Sequence, residues 1–266
     1  MIQETMTFPV AIKRRSKRRL NVAKEVAEVN RIRLSFERSA TTRFIKLFEK
    51  YGKQAARLYP RGTQDGALTV GLRDDVEKVI RAHYTDVITV FGHRVLDGYK
   101  FESRFEQMID LYYLLYGADR VVGITNTTRN IIRGAIFAGE AEALGVAAIS
   151  KLIIEKTSGS IGRARAATIA RTETHAAASY ATHETTKDLP ITFRKEWSSV
   201  GDARTRSHHA SMNGVQVGEN EDFIVKVNGT EYRMAHTHDP RGGAVNNINC
   251  RCTTLYIADE DEIFRD

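Results

Sequence analysis

Apolar residues recur at helical spacing through roughly the first two-thirds of this chain, then give way to alternation. Val22, Val26, Val29, Ile32 and Leu34, followed by Phe44, Leu47, Phe48 and Tyr51, predict a helix over residues 20–59. The stretch YPRGTQDG, residues 59–66, breaks it with Pro60, Gly62 and Gly66. Leu72, Val76, Val79, Ile80, His83, Val87, Phe91 and Val95 recur three or four apart and predict a helix within residues 67–98. His83 lies inside that stripe and reads as a packed core residue. After DGYK, the residues Phe101, Phe105, Met108, Ile109, Tyr112 and Leu115 predict one helical face over 101–116. Asn126 or Thr127 suits the cap of a helix running to about Ala138, with Gly139 at its end. A second helix is expected over about 140–156. Ser160 then caps a third, from Ile161 to about Lys187, containing eight alanines and stopped by Pro190.

Beyond residue 190 the period shortens. ITFRKEWSS alternates as a strand, with Ile191, Phe193 and Lys195 on one side. FIVKVNGTEYRM reads as a hairpin, because Asn228-Gly229 suits a type I′ turn. CTTLYI predicts the last strand. The expected class is therefore α+β, mostly helical in the N-terminal two-thirds with a small C-terminal β-rich domain. The expected organisation is a basic arm over 1–19, a helical region over 20–119, helices over 120–189, a small β-rich part over 190–258 and an acidic tail over 259–266.

Charge changes this picture at one end. The chain has 266 residues and a formal net charge of +7, but residues 1–60 hold 15 Lys/Arg against 5 Asp/Glu, a net of +10, which leaves about −3 for the rest. Lys13, Arg14, Arg15, Lys17, Arg18 and Arg19 form a mutually repelling cluster with little apolar material. Such an arm on a near-neutral body points to a polyanion, nucleic acid first. The N-terminal residues lack the apolar core of a cleaved signal. No apolar run approaches the ~20 residues that span a bilayer. Two cysteines do not make a disulfide framework, and a reducing compartment is expected.

Both cysteines, Cys250 and Cys252, sit two apart in NINCRCTTLYI. In an extended segment they face the same way, so they offer two thiolates to one ion, with His208, His209, His236 and His238 as nitrogen donors for zinc. Inert packing on one sheet face and a redox pair are the other two readings. In EWSSVGDARTRSHHASMNG, Trp197 is the sole tryptophan and the expected anchor of the small core. Asp202, Arg204 and Arg206 alternate, so Asp202 is expected to fix the guanidinium forks. A catalytic alternative makes Asp202 or Glu196 a base and His209 an acid or ligand, and a metal-nuclease alternative groups His208, His209 and Asn213. In ARTETHA, Arg171 and Glu173 lie two apart on a helix and do not face each other, so each needs a partner elsewhere, with a salt bridge to the small domain as the expectation. His175 and His183 have no compelling ligand spacing. Nucleotide-binding loops, dinucleotide fingerprints, H-E-x-x-H and G-x-S-x-G are absent from the sequence.

Taken together, four segments resemble the phage Mu F-like head morphogenesis family, minor head proteins of tailed phages. These are TRNIIRGAIFAGEAEALGVAAISKLIIEK, RARAATIARTETHAAASYA with Arg171 and Glu173, and EWSSVGDARTRSHHASMNG with Trp197, Asp202, Arg204, Arg206, His209 and Gly214. The fourth is DPRGGAVNNINCRC with Pro240, Asn249, Cys250, Arg251 and Cys252. The likeness covers about 120–258. It implies a virion protein acting in head morphogenesis, associated with the portal vertex, partnered by portal protein and major capsid or scaffold protein. Its expected location is the virion interior, with the host cytoplasm during assembly. It also implies contact with double-stranded DNA without sequence specificity, which the basic arm supports independently, and it favours a zinc site of His209, Cys250 and Cys252. No membrane role and no catalytic residue is implied. The alternatives are a metal-dependent nuclease or hydrolase delivered into a cell, and a cellular nucleic-acid regulator.

Overall fold

A computed structural model describes residues 22–62, 65–95, 102–189 and 192–258. The basic arm with Lys13, Arg14, Arg15, Lys17, Arg18 and Arg19, the DGYK stretch, Pro190, Ile191 and the acidic end all lie outside the described residues.

Among the described residues up to 186 the helices are α1 (Val22–Leu58), α2 (Asp65–Leu68), α3 (Leu72–Val95), α4 (Glu102–Tyr112), α5 (Ala118–Ala141), α6 (Val146–Ser158) and α7 (Ser160–Thr186). Strands follow: β1 (Phe193–Ser198), β2 (Gln216–Gly218), β3 (Phe223–Val227), β4 (Thr230–Met234) and β5 (Thr253–Ala258), with short helices α8 (Ser207–Ala210) and α9 (Gly243–Asn247) between them. The α+β class read from the sequence is the one observed.

The chain divides into two compact units. One takes the start of α1 as far as Leu34, Thr85–Ile109 and everything from Arg171 onward; the other takes Ser35–Tyr84 and Asp110–Ala170. The all-helical unit packs Ala55, Ala56 and Leu68 against Ile132, Ala135, Ile149 and Ile153. Gly139 does not end its helix, as the sequence suggested, but lets α5 and α6 approach: a Cβ there would lie 2.7 Å from Cγ1 of Ile149. Neither Asn126 nor Thr127 caps anything. Both lie exposed in the middle of α5, because the helical residues before them propagate without a break. Leu115, read as part of a buried face, is 50% exposed. A π-helical turn over Tyr113–Gly117 shifts the register between α4 and α5 there.

In the other unit, α1 buries Val29 as expected, but Leu34 is exposed and Arg33 points inward in its place. A three-stranded antiparallel sheet has the order β2-β1-β5, with Trp197 opposite Thr254. The hairpin β3–β4 turns at Asn228 (φ 48°) and Gly229 (φ 81°), both left-handed as a type I′ turn requires. β1 buries Phe193, Lys195 and Trp197 on one face. The Lys195 ammonium is satisfied by two carbonyls, of Glu221 at 2.7 Å and Ala235 at 2.9 Å. No helix among the described residues is long and apolar enough to cross a membrane.

Candidate metal centre

The residues from Trp197 to Cys252 close on one another through turns that their own side chains hold. After β1, Asn213 Oδ1 accepts from the Ser199 amide at 2.9 Å, and the Gly214 amide donates to the Trp197 carbonyl at 2.8 Å. Gly214 sits at φ 80°, a conformation that suits glycine. Within that loop, Asp202 accepts from the Arg204 amide at 3.0 Å and receives a two-pronged bond from Arg251 at 2.6 and 2.8 Å. Hydrogen bonding from Arg251 holds the Asp202 carboxyl well below the ordinary carboxylate range. Asp202 therefore grips the arginine between the two cysteines, 49 residues away, and touches the Arg204 guanidinium at 3.5 Å. Arg206 turns elsewhere, donating to the Ile248 carbonyl at 2.6 Å.

The second half of the site hangs from α7. Arg171 donates to Asn249 Oδ1 at 2.6 Å, and Thr172 Oγ1 accepts from the Asn249 amide at 3.0 Å. Asn249 is left-handed at φ 59°, which turns the chain so that Cys250 and Cys252 enter the core. One partner of Arg171 is thus an amide oxygen. Glu173 is buried on the same helix. Pro240 opens a 3-10 turn behind Asp239, whose carboxylate accepts from the Arg241 and Ala235 amides. The cysteines precede β5 instead of lying in it, yet they still face the same way.

Cys250 and Cys252 are free thiols, each 3% exposed, in an apolar cluster with Trp197, Met212, Phe223 and Met234. His209, brought in by α8 and 1% exposed, points Nδ1 at both sulfurs, 3.5 Å from Cys250 and 3.6 Å from Cys252. Its Nε2 lies 3.2 Å from Asn246 Oδ1, and Asn246 in turn donates from Nδ2 to the Gly242 carbonyl at 2.8 Å. That chain fixes the tautomer: Nε2 carries the proton and Nδ1 presents its lone pair to the thiols. One imidazole lone pair accepts well from one thiol, not from two at equal distance. An ion between the three atoms resolves this, since tetrahedral zinc with Zn–S of about 2.3 Å and Zn–N of about 2.05 Å sets N and S ligands about 3.6 Å apart. All three ligand atoms lie within 4.8 Å of one another. The donor set fits zinc, although the three residues alone leave one tetrahedral position unassigned.

The two thiols are coupled. A hydrogen bond from Cys252, reinforced by the nearby His238 and His209 imidazoles, pulls the Cys250 proton affinity down, whereas the Cys250 sulfur and burial push that of Cys252 up. A cleft of about 10 Å³, lined by Arg204, Arg206 and Arg251, opens on the sulfurs from outside.

The catalytic groupings considered from the sequence do not assemble. Glu196 accepts from Gln216 Nε2 at 2.7 Å, Asp202 is clamped by Arg251, and Asn213 caps a turn. None of these three is among the hydrogen-bond partners of His209. His208 stacks edge-on to His209 with ring centroids 4.7 Å apart but turns no ligand atom into the triad.

Three comparisons bear on identity. Residues 126–255 match the family model described as Phage Mu protein F like protein. Those residues belong to the phage Mu protein F-like family. The match takes in both halves of the centre, from Arg171 through Cys252. A curated relative, the "NAD(+)--arginine ADP-ribosyltransferase EFV" of Enterococcus faecalis, is 34% identical over 139 residues, 50% of this chain and 26% of that one. The "Uncharacterized protein YqbB" of Bacillus subtilis is 30% identical over 99 residues, 36% of this chain and 32% of that one. The chain thus spans about a quarter to a third of these relatives. No solved structure matches it.

Sequence reading missed three supports of this Mu F-like centre. Arg33, 2% exposed, donates to Thr253 Oγ1 at 2.7 Å, to Ser179 Oγ at 3.2 Å and to the Cys252 carbonyl at 3.4 Å, so α1 steadies the strand that follows the thiols. Asn246 orients His209. The third is Arg241, whose guanidinium joins Asp239 and Asp222 at 2.7 to 3.0 Å and ties the loop before α9 to the start of β3. The HDPR run was the available signal for it.

His175 and His183, unremarkable by spacing, are buried on α7 against His238 and His236, with ring centroids 5.2 and 4.8 Å apart. Burial, then the His236 ring, holds the His183 imidazole down to about 2, while Nδ1 lies 2.9 Å from the Tyr256 hydroxyl. A depressed folded-state value means the stabilisation is complete above the unfolded value of about 6.5 and is lost as pH falls below it. Between pH 7 and pH 5 the wild type should lose about 2 kcal/mol of unfolding free energy that a His183→Gln variant does not lose. Urea melts of both proteins at the two pH values measure this, and equal losses would remove His183 from the account.

Proposed function

We propose that this chain is a phage minor head protein that acts in head morphogenesis at the portal vertex, with portal protein and capsid or scaffold protein as partners. Its closing β-unit is pinned by a zinc ion held by His209, Cys250 and Cys252. The observation that carries this reading is the pairing of Mu F-like family membership with a buried donor triad inside the matched residues. The zinc role is structural: the thiols lie in an apolar core, and the neighbouring carboxylate, Asp202, is committed to Arg251.

The basic segment supplies the second contact, with packaged double-stranded DNA. Each phosphate neutralised releases counterions and steepens the salt dependence by about 0.9 in log K per log salt. Replacing Lys13, Arg14, Arg15, Lys17, Arg18 and Arg19 with glutamine should cut affinity for random duplex DNA and flatten that slope by several units. Unchanged affinity and slope in a fluorescence titration across salt would dismiss the segment as a DNA contact. Portal protein should co-purify with the wild type and with the glutamine variant alike.

One observation favours a second reading, a metal-dependent nuclease or hydrolase: the arginine-lined cleft over the sulfurs. Divalent-ion-dependent cleavage of DNA, RNA or peptide by the wild type, lost in His209→Ala with the fold kept, would replace the structural role. The transferase activity in the name of the Enterococcus relative does not carry over, because the match spans 26% of that protein.

A further inference from the structure

We infer that the arginine-lined cleft beside the donor triad is an oxyanion site that takes one phosphate group, from a polynucleotide backbone or from a free phosphate. This contact lies inside the family-matched residues, apart from the basic segment, and needs no zinc.

Arg204, Arg206 and Arg251 line one cleft, together with Thr205 and Asn249. Among the described residues, Asp202 is the carboxylate that reaches these guanidiniums. Arg251 takes both of its oxygens, at 2.6 and 2.8 Å, while Arg204 stands off at 3.5 Å. Arg206 donates to the Ile248 carbonyl at 2.6 Å and meets no carboxylate among the described residues. Three positive charges therefore face one negative charge, a surplus of two. Zinc held by two thiolates would add no net charge to that surplus. Arg241, in the same unit, shows the contrast: its guanidinium is answered by both Asp239 and Asp222 at 2.7 to 3.0 Å. Arg204 has no such partner to itself, and its side chain is 73% exposed. Guanidinium forks match the oxygens of a phosphate. Like charges gathered in a cleft with low-dielectric walls also draw an anion more strongly than the same charges on an open surface. At about 10 Å³ the cleft has room for roughly one oxygen atom. One phosphate oxygen enters, and the others stay at the mouth within reach of the exposed Arg204. A base or a peptide side chain is too large to follow, so the contact reads charge and not sequence.

The test is arginine labelling with phenylglyoxal, mapped by mass spectrometry, on the full chain carrying glutamine at the six basic positions from Lys13 to Arg19. Labelling is compared in inorganic phosphate, in A·T duplex DNA and in sodium chloride at matched ionic strength. Saturating phosphate should slow the labelling of Arg204 and Arg206 about fivefold relative to chloride. Arg233, an exposed arginine paired with Glu231 on β4, should label at the chloride rate throughout. Protection by DNA as well assigns the site to the polynucleotide backbone, and protection by phosphate alone assigns it to a free phosphate or nucleotide. In the first case Arg204→Gln/Arg206→Gln should also flatten the salt dependence of the remaining DNA binding by about 0.9 in log K per log salt. Labelling of Arg204 and Arg206 at the chloride rate in both phosphate and DNA, a result that needs no substitution in the cleft, would overturn the inference. The zinc reading and the basic segment would be untouched by that result.

Discussion

A Cys250→Ser/Cys252→Ser double variant should purify without zinc and unfold with several kcal/mol less free energy than the wild type. The thiols sit among Trp197, Met212, Phe223 and Met234, so an ion held there couples its binding energy directly to folding. Two serine hydroxyls in the same apolar cluster add a desolvation cost of their own. A chelator separates the two contributions. It should lower the stability of the wild type by most of the difference and leave the double variant unmoved. Elemental analysis run beside the urea melts gives the stoichiometry. A wild type without bound metal and indifferent to the chelator would reduce the pair to buried thiols.

Trp197→Ala should cost about 3–5 kcal/mol, the range for emptying a large aromatic site in a core. Trp197 is fully buried, edge-on to Phe223 at 5.4 Å and to His209 at 5.3 Å. It also packs in one apolar cluster with Cys252. Truncation therefore opens a cavity beside two ligands at once, and the variant should release zinc at lower chelator concentration than the wild type. Trp197→Phe keeps much of the volume and should recover part of both losses. A loss below about 1 kcal/mol in Trp197→Ala would show that the small core is organised around something else.

What the sequence made legible, and what it hid, follows from how local each cause is. The hairpin at Asn228-Gly229, the breaks at Gly62 and Gly159, and the buried run Leu72, Val76, Ile80, Val87 are set by a few adjacent residues, so pattern alone reached them. Asn126 and Thr127 have capping chemistry, but a cap acts only where a helix starts, and α5 was already under way. The π-turn at Tyr113–Gly117 inserts a register shift that no 3.6-residue template anticipates. The donor triad was readable because Cys250 and Cys252 are the only cysteines and His209 falls in a segment that looks like the family. Its supports were not. Arg33 looks like an ordinary exposed arginine until α1 is placed, and Asn246 acts through a single oxygen whose target is 37 residues away. Lys195 continued the alternation of β1, yet nothing in that alternation says that two carbonyls would make burial of its ammonium tolerable.

The pairing of β1 with β5 carries a kinetic consequence. Trp197 and Thr254 are opposite each other in the sheet but distant along the chain, so both cysteines wait, reduced and solvated, until a long closure has been made. Non-local pairings of this kind slow the search for the native state. During that interval the two thiols are two residues apart and open to oxidants, so a nascent polypeptide that captured its ion early would be protected from a wrong sulfur–sulfur bond.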